Sequence, residues 1–193
     1  MLSQTAAKRK LPDSGPLDAD AWIDAALAVL ARDGVDAVRV EPLAKQLGVT
    51  KGSFYWHFKD RAALLDAVLA TWKQRATLAV IERIQRARSQ PHEQLRALIA
   101  LPRRGSRARN GADIESAIRF WGRRDPKAAA AVRDIDRQRL DHICSLVEAS
   151  ARGSADSAAR AMLIYAFILA EASIGASIDS QVRAACERIL VPE

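Results

Sequence analysis

Between Val40 and His57 the chain has room for only two short helices, because Gly48 divides the segment near its middle. Pro42 belongs in the first turn of the leading one, where its missing amide is no loss, and this predicts a helix over 40–47. Gly48 breaks it, and the Thr50 hydroxyl is placed to cap a second helix running to about His57. A helix, a Gly-containing turn of a few residues and a second helix make a helix-turn-helix. A further helix is expected upstream. Asp18 is a good N-cap, and Ile23, Ala26, Leu27 and Leu30 follow at i, i+3, i+4 and i+7, so a helix is expected from Asp18 to Arg32. Gly34 is expected to end it as a left-handed C-cap.

The helical pattern continues downstream. Leu64, Leu65, Val68, Leu69, Trp72, Leu78, Ile81 and Ile84 predict one long helix from about Asp60 into the 80s. Pro91 opens a fifth helix that ends before Pro102. The stretch PRRGSRARNG, 102–111, reads as a loop, and a sixth helix is expected over 112–121. Asp125 before Pro126 starts a seventh that runs to about Ala151. Gly153 ends it, Ser154 caps an eighth reaching the region of Gly175, and a ninth covers about 179–190. Few stretches alternate apolar with polar, so the fold class is all-α with about nine helices. The expected organisation is a flexible arm over 1–16, a three-helix helix-turn-helix domain over 17–62, and a helical-bundle domain for ligand binding and dimerisation over 63–193.

Several function classes are disfavoured. His92 and His142 lack an acid and nucleophile at catalytic spacing, and no Gly-rich phosphate loop or metal signature occurs, so neither an enzyme, a metal nor a cofactor is expected. Cys144 and Cys186 stand 42 residues apart with no histidine at ligand spacing, which fits reduced thiols in a cytosolic protein. The N-terminal MLSQTAAKRKLPDSG lacks the apolar core of a signal peptide, and the apolar run 161–170 is cut by Glu171 before it could span a bilayer. A soluble, cytoplasmic protein without a membrane partner is expected. In the arm, Lys8, Arg9 and Lys10 fit either DNA contacts or a solvated tail.

The segment that carries chemistry is LAKQLGVTKGSFYWHFKDRAALL. Phe54 and Phe58, four apart, can face inward, leaving Lys51, Ser53, Tyr55 and His57 on other faces. Gly52 leaves room for close approach to a groove, and Lys59 and Arg61 suit phosphate contacts. Trp56 fits packing and phosphate contact equally. Leu43, Ala44, Gly48, Val49, Tyr55, Phe58, Leu64 and Leu65 follow in order and spacing the helix-turn-helix of TetR-family regulators, which the segment resembles. The resemblance implies a DNA-contacting set of Thr50, Lys51, Ser53, Tyr55, His57 and Lys59, a near-palindromic double-stranded operator, and a homodimeric repressor that lets go of DNA on binding a small molecule of unknown identity. A transcriptional activator or an effector-independent regulator of the same fold is the alternative. Two positions depart from the pattern: Arg39 stands where a Thr or Ser cap is usual, and Glu41 where several relatives carry a polar or basic group. A carboxylate is repelled by phosphate but can accept from cytosine.

Charge distribution does not by itself mark a DNA-binding end. Residues 1–60 hold eight basic and eight acidic side chains, so the net +7 lies wholly beyond them. Residues 73–139 hold 17 basic and 7 acidic. That excess fits an anionic effector, an extra DNA contact, or an arginine-rich solvated surface with Arg103, Arg104, Arg107 and Arg109 exposed. Trp72, Phe120, Trp121, Ile143, Met162, Tyr165 and Leu169 are candidates to line a pocket between helices. The eighth expected helix is apolar nearly all round and requires a second cover. A partner subunit over Leu163, Phe167, Ile174, Val182 and Ile189 would supply it, in agreement with the dimerisation that the resemblance implies.

Overall fold

The computed structural model describes residues 18–88, 90–101, 106–150, 156–174 and 178–191, and among these every regular element is helical. The helix-turn-helix domain consists of α1 (Ala19–Asp33), α2 (Val40–Leu47) and α3 (Lys51–Tyr55). A helical rod follows: α4 (Arg61–Lys73), a π-helical stretch Gln74–Leu78, and α5 (Ala79–Ala87). Then come α6 (Pro91–Ile99), α7 (Ser106–Gly122), α8 (Pro126–Ser150), α9 (Ser157–Ile174) and α10 (Ser180–Leu190). With the rod counted once these are the nine expected helices. The arm at 1–16 and the expected signals at Gly153, Ser154 and Gly175 lie outside the described residues.

Local chemistry explains most boundaries. The Asp18 carboxylate accepts from the Ala21 amide at 2.9 Å, and Asp60 does the same for Ala63 at 2.8 Å. Asp125 caps α8 through the Ala128 amide at 2.9 Å, ahead of the first-turn proline. Gly48 takes the left-handed pair φ 71°, ψ 25° that ends α2. Gly34 also has positive φ, 82°, but its ψ of 175° is extended, so it turns the chain without forming the left-handed helical cap expected of it. Thr50 occupies the N-cap position of α3, yet its hydroxyl makes no capping bond. Arg39 likewise supplies none to α2, as its side chain implies, and donates instead to the Asp36 carbonyl.

Two boundaries differ from expectation: α3 ends at Tyr55, short of His57, and α7 begins early. Residues 106–111 are helical, because α7 begins at Ser106 and not near Ala112. An interior glycine costs about 1 kcal/mol in a helix. Gly111 stands in open space within the helix, ahead of the buried Ile118 and Trp121. The α7–α8 corner is tight: a Cβ on Gly122 would sit 3.3 Å from the Ala129 backbone.

Two apolar cores run along the molecule. The first joins Trp22, Leu30, Leu43, Phe54 and Leu64 to Trp72, Ile118, Trp121 and Ile135. It therefore cements the helix-turn-helix to α4 and to the α7–α8 corner. The second gathers Ile84, Leu95, Ile99, Ile143, Val147, Ile164 and Tyr165 among α5, α6, α8 and α9. The candidate pocket residues divide between the two cores and the surface. Trp72 and Trp121 belong to the first core and Ile143 and Tyr165 to the second, while Leu169 packs at its edge. Phe120 and Met162 are exposed, with the Arg124 guanidinium over the Phe120 ring at 4.8 Å. Helical periodicity identifies apolar side chains but not which neighbours share them.

Candidate nucleic-acid interface

The outward face of α3 exists because its inward face is anchored. Phe54 is fully buried, its ring edge-on to Trp22 at 5.2 Å and 5.5 Å from Phe58. Aromatic pairs of this geometry contribute about 0.5–1.5 kcal/mol beyond the area they bury. With Phe54 turned in, helical spacing turns Lys51, Gly52 and Tyr55 out to solvent with Ser53 partly covered, and the turn after α3 exposes Trp56 and His57 while it buries Phe58. Thr50 and Lys59 flank them, both exposed. Trp56 is 89% exposed, which disposes of its packing alternative. An indole this accessible is a surface for a partner or for solvent.

Arg61 is the one member of the expected set with its guanidinium turned to the fold. Its Nε donates to the Val38 carbonyl and its Nη2 to the Val35 carbonyl, both at 2.6 Å. It braces the start of α4 against the turn between α1 and α2, a structural role beside the phosphate contact expected of it. Sequence gave no sign of the brace because 23 and 26 residues separate the partners.

Glu41 and Lys51 are joined. Lys51 Nζ lies 2.5 Å from Glu41 Oε1, bridging the N-terminal turns of α2 and α3 on the exposed surface. The hydrogen bond from Lys51 holds the Glu41 carboxyl below its ordinary range, and Glu41 in turn raises the Lys51 ammonium. Each residue stood out in the sequence, but their pairing depends on the turn at Gly48.

A second group of charges lies beneath α7, α8 and α9, where the basic stretch had suggested a solvated surface. Glu115 accepts from Arg119 at 2.9 Å and from Arg139 at 2.7 Å, and Arg119 also reaches Asp136 at 2.5 Å. The Tyr165 hydroxyl donates to Asp136 at 2.6 Å. Arg139 extends from this cluster to the Ala76 carbonyl and the Thr77 hydroxyl in the π-helical stretch. Burial alone would push the Glu115 carboxyl up, but Arg139 and then Arg119 outweigh it and hold it low. Burial likewise opposes ionisation of Asp136, and hydrogen bonds from Arg119 and Tyr165 overcome it. The spacings Glu115–Arg119 and Asp136–Arg139 are legible as helical neighbours. Their convergence is not.

The apolar face of α9 and α10 is uncovered in the single chain. Leu163, Ile174, Val182 and Ile189 are each more than half exposed, and Phe167 is partly covered. Arg183 pairs with Glu171 at 2.9 Å and Arg160 binds the Leu190 carbonyl, so the two helices form one braced unit. Ser157–Ile174 is long and apolar enough to cross a membrane by length and composition, but its inner face packs in the second core. Among the described residues no cluster of three or more metal-ligating side chains occurs.

An all-helical body that carries a helix-turn-helix with its second helix so exposed defines a fold class: a helix-turn-helix domain with a helical companion domain. Residues 23–68 match the family model described as bacterial regulatory proteins, tetR family. That match covers about a quarter of the chain, and over about nine-tenths of its length the chain shares the fold of solved structures of helical transcriptional regulators. The class D tetracycline repressor of Escherichia coli is 42% identical over 52 residues, covering 27% of this chain and 24% of the repressor. The chain thus matches about a quarter of the length of such curated relatives. A Saccharomonospora viridis protein described as a transcriptional regulator and crystallised with choline superimposes with a TM-score of 0.73 at 16% identity, over 89% of this chain and 92% of its own. The transcriptional regulator FadR of Bacillus subtilis, crystallised with stearoyl-CoA, gives 0.68 at 19% identity, over 91% and 98%.

Proposed function

We propose that this protein is a cytoplasmic, homodimeric transcriptional repressor that binds a near-palindromic operator and releases it when a small organic effector enters its helical bundle. One observation carries the DNA-binding part: Lys51 and Tyr55 on α3, with Trp56 and His57 in the turn after it, stand exposed while Phe54 and Phe58 are locked into the core. Thr50, Gly52, Ser53 and Lys59 complete the contact set. The division into a reading domain at 17–62 and a sensing and dimerisation domain at 63–193 supports the same mechanism, with the rod from Arg61 as the link. An effector that repacks the bundle would tilt this rod and alter the separation of the two recognition helices. Half-sites about 34–36 Å apart tolerate little change in that separation. The uncovered face of α9 and α10 is the dimer surface, and the neighbours bound to choline and to stearoyl-CoA favour an organic effector.

The test is a gel shift on the protein's own upstream DNA, with release scored against a metabolite library alongside thermal shift. Specific retardation that a library member reverses is expected. No binding to that DNA, or to duplexes selected from a random pool, would end the reading. Leu163→Glu or Phe167→Glu should give monomers in sedimentation, because each puts a charge into the apolar face.

A further inference from the structure

Glu41 is an exposed acidic side chain bonded to Lys51, a member of the proposed DNA-contacting set, and a carboxylate beside phosphates is unfavourable unless it has a task there. It is 64% exposed and held to Lys51, itself 51% exposed, at 2.5 Å across the turn of the motif. Neither residue is needed by the core, and Glu41 has no cationic partner besides Lys51 among the described residues. The arrangement has two physical consequences. A lysine already neutralised by a carboxylate gives less to sequence-independent phosphate binding, since fewer counterions are released. A carboxylate has about four lone-pair sites and an ammonium three protons, so each partner retains capacity after their mutual bond forms. Together they present an acceptor beside donors. In the major groove a C·G pair offers the complement, the cytosine amino group as donor and guanine O6 and N7 as acceptors.

We propose that Glu41 is a specificity-determining residue that, with Lys51, reads a C·G pair at one position of each half-site and weakens binding to all other DNA. The inference rests on the DNA-binding reading above. It gives Glu41 a positive role in choosing sequence, and makes the Glu41–Lys51 pair the functional unit in place of either residue alone.

The experiment compares the full-length parent with Glu41→Gln, Lys51→Met and the double variant. Duplexes selected by the parent from a randomised pool are changed one position at a time and assayed beside random DNA over a range of salt. Circular dichroism shows that the helices persist. Glu41→Gln is expected to lose discrimination at a single C·G position by about fivefold or more, the lower end for one base contact. Its random-DNA affinity should rise, with a salt slope steeper by about 0.9, one added phosphate contact. The double variant should match Lys51→Met at that position, because the pair acts as a unit. An unchanged sequence profile in Glu41→Gln, or equal weakening at every position, would overturn the inference while leaving the DNA-binding reading intact. A parent that binds no duplex would overturn both.

Discussion

The protein holds its charges in two contrasting ways. At the α2–α3 surface Glu41 and Lys51 pair in solvent, each more than half exposed. Beneath α7, α8 and α9 a cluster of the same chemistry, Glu115, Arg119, Asp136 and Arg139 with Tyr165, is largely withdrawn from water. Exposed pairs contribute little to stability because water and salt compete for both partners, which leaves such groups available to a ligand. Withdrawn charges cannot be left unmatched, so their removal falls on the fold. The difference teaches that composition alone misplaces an arginine-rich stretch: part of its excess serves tertiary structure.

That contrast can be broken most directly at Arg139. Arg139→Met should destabilise the chain by about 3 kcal/mol, the low end for breaking a buried pair, because Arg119 still holds Glu115. Denaturant unfolding measures it, and a loss no larger than that of a surface variant would erase the distinction drawn here. Arg61→Ala should cost about 1.5–3 kcal/mol, since two carbonyls lose a charged donor. It should also loosen operator binding without flattening the salt slope, which separates a brace from a phosphate contact.

A smaller effect is expected at alkaline pH. Burial raises the Tyr165 phenol to about 12 even though Arg139 acts to lower it. The unfolded phenol ionises near 10, so this contribution is complete below that pH and is lost as pH rises toward 12. Comparing unfolding of the parent and Tyr165→Phe between pH 9 and 12 should show a steeper loss in the parent. The smallest effect sharpens the other side of the comparison. Lys127 pairs with Asp66 at 2.7 Å on an exposed surface, and Lys127→Ala should leave the unfolding midpoint unchanged within error. A clear shift there would mean that exposed pairs, Glu41–Lys51 included, do structural work.

Much of the molecule was legible from local chemistry. The α2 bounds and the starts of α1, α6, α8 and α10 follow from caps, prolines and the Gly48 turn, all decided within a few residues. The burial of Phe54 and Phe58 follows from four-residue spacing. The α7 start departs from its local signal: residues 106–111 have the composition of a loop and are helical. The π-helical stretch at Gln74–Leu78 had no sequence signal, and its Ala76 carbonyl meets an arginine 63 residues away.

The sequence by itself determined the all-helical class, the helix-turn-helix and the exposed polar face of α3, because periodicity and capping act over a turn or two. Tertiary packing alone sets Arg61 as a brace, joins Glu41 to Lys51, withdraws Arg119 and Arg139 from solvent, and sends Trp72 and Trp121 to one core, Tyr165 to the other and Phe120 to the surface. Each of these depends on which distant surfaces meet. Helix packing chooses that for the whole chain at once, through the burial of shared apolar area, and no local spacing records the choice.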